Sequence, residues 1–155
     1  MIHKILFVIL VSIYSYAQEL ITPIPLENQV NIQKAKLGKK LFFEKKLSGD
    51  DTVSCSSCHL LEEGGDDNKQ YSKGINNQMG DINAPTVLNA KFNFLQFWDG
   101  RAKNLHDQAL GPVTNPIEMN ATFPQVIKKL TQISYYVNTF EKLYEDGITK
   151  DNIAD

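Results

Sequence analysis

Residues 53–59 read VSCSSCH, and this stretch decides how the rest of the chain is read. Cys55 and Cys58 are the only cysteines among 155 residues, and His59 follows them directly. Four chemistries use cysteines at this spacing. A dithiol redox motif needs Cys-x-x-Cys after a buried strand in a βαβ setting, and residues 44–54 carry no strand pattern. A structural zinc site needs four ligands at matching spacings; the remaining nearby donors are His59 and the distant His106. A plain disulfide across so short a loop would be strained and would leave His59 unused. Covalent haem attachment uses all three residues. Two thiols one helical turn apart add to the two haem vinyl groups, and the next side chain reaches the iron through an imidazole nitrogen. Cys-x-x-Cys-His is the sequence mark of that attachment. The expected cofactor is therefore haem c, tethered by Cys55 and Cys58, with His59 as the proximal iron ligand.

The N-terminus agrees. Met1-Ile2-His3-Lys4 is a short basic start, residues 5–13 are apolar except Ser12, and Ser15-Tyr16-Ala17 sets small residues where a signal peptidase reads them. This predicts a secretory signal over residues 1–17, leaving residues 18–155 as one haem domain. The apolar run is about half of the roughly 20 residues a spanning helix needs. The expectation is a periplasmic protein with no membrane span after cleavage, in a compartment where a free dithiol tends to oxidise. Cleavage removes Lys4 from the 16 basic residues and none of the 18 acidic ones, so the net charge becomes −3. That is too small to argue for nucleic acid or an anionic membrane as partner.

The mature chain reads as mostly α, a cytochrome c-like domain with long irregular loops. Ile32, Ala35, Leu37, Leu41 and Phe42 fall roughly on one helical face within residues 30–46. The lysines opposite form a solvated face, or a docking patch for an acidic redox partner. A short helix is expected through residues 55–61, stopped by Gly64-Gly65. About 20 polar residues without regular pattern then run to Asn83, a length that in a compact domain is usually functional. Residues 85–97 are apolar and aromatic. A helix starts near Asn104 and is expected to end at Gly111-Pro112. Pro124 suits another helix N-terminus, with residues 124–144 forming two helices around Ser134. Thr149 reads as an N-cap barely one turn before Asp155, which suggests the front part of a longer protein.

Two segments carry a family resemblance. LGKKLFFEKKLSGDDTVSCSSCH, and NAPTVLNAKFNFLQFWDGRAKNLHDQALGPVTNPIEM over residues 83–119, resemble the peroxide-reacting N-terminal domain of bacterial di-haem cytochrome c peroxidases. The methylamine-utilisation di-haem enzymes share that architecture. The resemblance implies a cytochrome c peroxidase that reduces hydrogen peroxide to water with electrons from a small cytochrome or similar donor. It also implies a second haem, and a homodimer, for the full-length protein. By resemblance, Glu118 of NPIEM is the distal glutamate that moves protons, Gln108 of HDQA lies beside it, and Trp98 of FWDG is an electron route between haems. Asn83 of NAPT matches a side-chain ligand of an inter-domain calcium ion. Many family members carry a histidine in the loop before NAPT that ligates the resting iron. Here the matching position is Ile75, which cannot ligate iron.

The sixth iron position separates two classes of function. An open position suits a peroxidase. A Met ligand raises the potential and makes an electron carrier, and the mature chain offers Met79 and Met119. The alternative is thus a mono-haem electron-transfer cytochrome c. His106 reads as an ordinary helical histidine.

Overall fold

The computed structural model describes residues 23–25 and 30–155. The expected signal segment, residues 1–17, lies outside them. Among the described residues the chain forms five α-helices and no strands: α1 Ile32–Phe42, α2 Leu105–Thr114, α3 Phe123–Leu130, α4 Ser134–Leu143 and α5 Lys150–Ala154. None is long and apolar enough to cross a membrane. Residues 43–104 connect α1 to α2 through short 3₁₀ turns and irregular backbone. Three isolated antiparallel bridges, Leu60 with Asp66, Lys73 with Met79 and Gln96 with Ala102, close this backbone into tight loops.

Local chemistry accounts for the helix ends. The Asn31 carboxamide accepts from the backbone N–H of Gln33 and Lys34 at 3.0 and 3.1 Å, opening α1. Thr122 and Gln125 form a reciprocal capping box at α3, with Pro124 in its first turn. Thr149 Oγ1 accepts from Asn152 N–H and starts α5. The two helices around Ser134 and the Thr149 cap are therefore where the sequence places them.

Three local expectations fail, each for a tertiary or geometric reason. Residues 55–61 are not one helix: 3₁₀ turns at Cys55–Ser57 and Leu61–Glu63 flank a bend. Helix α2 does not end at Gly111-Pro112. Pro112 removes the donor that would reach the Gln108 carbonyl. The end is nevertheless secured by Asn115 N–H, which donates to Gly111 O at 3.0 Å, and by the Thr114 hydroxyl, which donates to Leu110 O and Gly111 O. On α1, Leu37 and Leu41 are buried, but Ile32 and Ala35 face solvent, because only the last turns of α1 meet the rest of the core.

That core joins Leu37 and Leu41 of α1 to Val113, Val126, Leu130, Tyr136 and Phe140 of the later helices, with Leu47, Val53, Ile75 and Met119 from loops. Loops are held against it by buried polar contacts. Tyr136, fully buried, donates its hydroxyl to Glu44 at 2.7 Å. Lys129 on α3 donates to Ser48 O at 2.7 Å, to Gly49 O at 3.0 Å and to the Asp51 carboxylate at 2.7 Å. One ammonium thus satisfies two carbonyls of the turn that leads into VSCSSCH. Lys129→Met should destabilise the chain by about 2 kcal/mol, the order expected for lost charged hydrogen bonds, with the exposed Gly49 arm contributing least. Denaturant unfolding reads this. Lys129 and Lys46 hold the Asp51 carboxyl below its usual range. The stability Asp51 supplies is therefore full above pH about 4 and lost as pH falls through its lowered value. The acid limb should be shallower in Lys129→Met.

Candidate functional site

The VSCSSCH turn is wound tightly. Cys55 O accepts from both Cys58 N–H and His59 N–H, at 3.2 and 3.1 Å, and Ser54 N–H is held by the Ser57 hydroxyl at 3.0 Å. His59 is half-buried, and its Nδ1 lies 3.1 Å from Gly65 O. A carbonyl only accepts, so Nδ1 carries a proton, and in the neutral ring the lone pair then lies on Nε2. This is the tautomer and orientation of a metal-ligating imidazole. Gly65 O also accepts from Val87 N–H at 3.1 Å, so both of its lone pairs are engaged and its position is fixed. Gly65 adopts φ +82°, and a Cβ there would lie 2.9 Å from Thr86 Oγ1 and 3.1 Å from Leu88 Cγ. The glycine pair that was read only as a helix stop thus also orients His59.

Both thiols are free. Burial pushes the Cys55 thiol up to about 11 and raises Cys58 as well. At neutral pH both are therefore protonated thiols. Among the described residues no group of three His, Cys, Asp or Glu side chains converges as a metal cluster. Two protonated thiols within one turn and a neighbouring imidazole with a free Nε2 are a donor set suited to thioether-linked haem.

Glu118 is half-buried in the turn after α2. Desolvation raises its carboxyl above the usual range. Donation from Asn115 and the positive charge of Arg101 oppose that rise, while Asp81 adds to it. Glu118 also raises the Cys58 thiol, and Gly74, next to the Lys73 carbonyl that Cys58 Sγ approaches at 3.8 Å, packs against the Glu118 backbone. The backbone of this turn is pinned from two sides. Gly49 N–H donates to Met119 O at 2.7 Å, and Ile75 N–H donates to Glu118 O at 2.8 Å. Gln78 adds a side-chain donation to Pro116 O at 3.2 Å.

Of the other expected residues, Asn83 and Trp98 are brought together. The Trp98 indole donates to Asn83 O at 2.9 Å, and Asn83 Nδ2 donates to Lys69 O at 2.6 Å. Trp98 is 66% exposed, and Leu88, Phe92, Phe94 and Leu95 of the same segment are exposed as well. Its turn is strained: Phe97 holds φ +63° under the Arg101 guanidinium, 3.5 Å from the ring centroid. Gln108 is half-buried on α2, two turns before Asn115 and on the same helical face, and no hydrogen bond joins it to Glu118. Ile75 is only 2% exposed and sits in the core. Met119 is buried in the same core, Met79 is largely exposed, and His106 lies 3.9 Å from Asp151 of α5. Sequence reasoning missed Asn115, Arg101 and Gly74. Asn-Pro at 115–116 was the available signal, since that pair favours a side-chain-stabilised turn.

A family model described as di-haem cytochrome c peroxidase matches residues 32–155. The chain is 43% identical over 141 residues to the cytochrome c peroxidase Ccp of Escherichia coli K12. It is 46% identical over 139 residues to the cytochrome c551 peroxidase of Nitrosomonas europaea. These alignments cover 90% and 89% of this chain but 30% and 42% of those relatives, so the chain spans less than half of their length. Among solved structures, a MauG-like protein associated with microbial copper homeostasis matches with a TM-score of 0.73 at 27% identity, over 88% of this chain and 43% of that one.

Proposed function

The chain belongs to the di-haem cytochrome c peroxidase family, and from that premise we propose that it is the N-terminal, peroxide-reacting haem domain of a periplasmic cytochrome c peroxidase. The observation that carries this reading is the pairing of His59, its Nδ1 held by Gly65 O, with a half-buried carboxylate on a turn packed against the loop that Cys58 Sγ touches. Cys55 and Cys58 hold haem c through thioethers, and His59 holds its iron. When bound, the haem supplies the iron at which hydrogen peroxide takes up two electrons and, with two protons, becomes two waters. Glu118 accepts a proton from one peroxide oxygen and delivers it to the oxygen that leaves. Gln108 orients the peroxide from α2. A small cytochrome or similar donor supplies the electrons, through Trp98 and a second haem carried by the full-length protein. Asn83 contributes a calcium ligand: Nδ2 is committed to Lys69 O, leaving the carboxamide oxygen for a cation.

The loop before NAPT bears on access to the iron. Ile75 has its side chain in the core and its N–H on Glu118 O, so this position offers no ligand to the iron. The proposed resting state is open to peroxide without prior reduction. The ferric absorption spectrum of the haem-loaded chain tests this. The expected result is a high-spin spectrum and rapid reaction with peroxide. A low-spin spectrum with a methionine–iron band, and inertness to peroxide, would replace this reading with the electron-carrier one.

A further inference from the structure

We infer that Asn115 is the positioning residue for Glu118, aiming the carboxylate by donating to one of its oxygens and leaving the other for the substrate proton. This rests on the proposed proton-transfer role of Glu118. Asn115 is the residue around which the whole turn is built. Its carbonyl accepts from Glu118 N–H at 3.1 Å and from Asn120 N–H at 2.9 Å. Its side-chain Oδ1 accepts from Ile117 N–H at 3.1 Å. Its Nδ2 donates to Glu118 Oε1. Pro116 holds residue 115 extended, at φ −68° and ψ 122°, which keeps the side chain over the turn.

The carboxamide has only one workable orientation. Flipped, it would set its oxygen against the Glu118 carboxylate and its NH₂ against Ile117 N–H. Each end is therefore held by its own partner, Nδ2 by Glu118 Oε1 and Oδ1 by Ile117 N–H. A turn alone needs only the oxygen end, which Asp supplies equally well and Ser more weakly. The donor end has no structural use in the turn; it acts on Glu118. Oε1 is engaged by it, and among the described residues no hydrogen bond reaches Oε2. Oε2 is thus the oxygen that takes the proton, with its direction set by Asn115.

The test is a double-mutant cycle on the haem-loaded chain, using Asn115→Ser and Glu118→Gln. Serine can still accept from Ile117 N–H but is too short to reach the carboxylate. Asn115→Ser alone should slow the reaction with peroxide about tenfold to a hundredfold, the range set by losing a hydrogen bond to a charged group. In the Glu118→Gln background the same change should have almost no further effect. A second readout is the pH titration of the ferric absorption spectrum. The ionisable groups near Glu118 are Arg101, His59 and Asp81, and Asn115→Asp adds a negative charge within hydrogen-bond reach while keeping the turn. Its midpoint should move up by about one unit or more, with the melting temperature close to wild type.

Equal slowing by Asn115→Ser in both backgrounds, with an unmoved midpoint in Asn115→Asp, would reduce Asn115 to a turn former and overturn the inference. If Glu118→Gln itself reacts at the wild-type rate, the proton-transfer role fails, and this inference fails with it. A slow Glu118→Gln combined with wild-type rates in both Asn115 variants overturns only the positioning role.

Discussion

Glu118→Gln should slow peroxide cleavage by about 10²–10⁴-fold, the contribution a positioned proton-transfer group makes, while haem attachment at Cys55, Cys58 and His59 proceeds normally. Stopped-flow mixing of the ferric, haem-loaded variant with peroxide measures the first quantity, and its absorption spectrum the second. The substitution is close to a pure charge change. Glutamine keeps an oxygen that can accept from Asn115 Nδ2, and its backbone contacts to Asn115 O and Ile75 N–H are unaffected. The pH dependence separates chemistry from folding. Burial raises the Glu118 carboxyl in the folded chain. A carboxyl raised on folding contributes stability below its unfolded value, about 4.3, and that stability is lost as pH rises through the raised value. At neutral pH the ionised form is therefore the less comfortable one to bury, and Glu118→Gln should melt at or slightly above the wild-type temperature. Wild-type reactivity should fall as pH drops through the raised value, because the proton acceptor is then filled. The variant should lack that limb. A variant with wild-type rates, or one that loses reactivity only because it unfolds, would remove Glu118 from the proposed mechanism.

The sequence was most legible where one residue type has one structural use. Cys55, Cys58 and His59 form a compact set whose spacing points to one chemistry, and the structure adds the Gly65 carbonyl that holds His59 Nδ1. Asn104, Thr122 and Thr149 cap helices through their own side chains, which is a contact made within three residues and therefore readable along the chain. What failed to show was the non-local part. Leu37 and Leu41 cannot be told from Ile32 by periodicity, because which turn of α1 meets α4 depends on chain that is about a hundred residues away. Pro112 was read as a stop because a proline removes one helical hydrogen bond. Two donations that restore the end of α2, from Asn115 N–H and the Thr114 hydroxyl, outweigh it. The site has the same division. The resemblance points to Glu118, and Trp98 and Asn83 do meet. That Glu118 depends on the loop holding Ile75, 43 residues earlier in the chain, has no signal along the sequence.

That dependence makes Gly74→Ala the second large effect. Gly74 lies in extended backbone, at φ −95° and ψ −154°, so alanine meets no conformational objection there. The objection is contact. A Cβ on residue 74 would sit 2.0 Å from Ile117 O and 2.7 Å from the Glu118 Cα, and both are backbone atoms that cannot rotate away. The loop must lift off, and with it goes the donation from Ile75 N–H to Glu118 O. Ile75 would be pulled from the core at the same time. Overpacking of about 1–3 kcal/mol and a lost buried hydrogen bond of about 1 kcal/mol add to a destabilisation of roughly 2–4 kcal/mol. Denaturant unfolding measures it, and slower reaction with peroxide should accompany it, because the same shift moves Glu118. Gly38→Ala is the internal comparison. Gly38 is exposed inside α1 with nothing within 4 Å of its added Cβ, so there alanine should stabilise by up to about 1 kcal/mol through helix propensity alone. The same substitution should therefore act in opposite directions at the two glycines. If Gly74→Ala proves as harmless as Gly38→Ala, the loop is not packed against the Glu118 turn, and the carboxylate is held by Asn115 without support from Gly74 and Ile75.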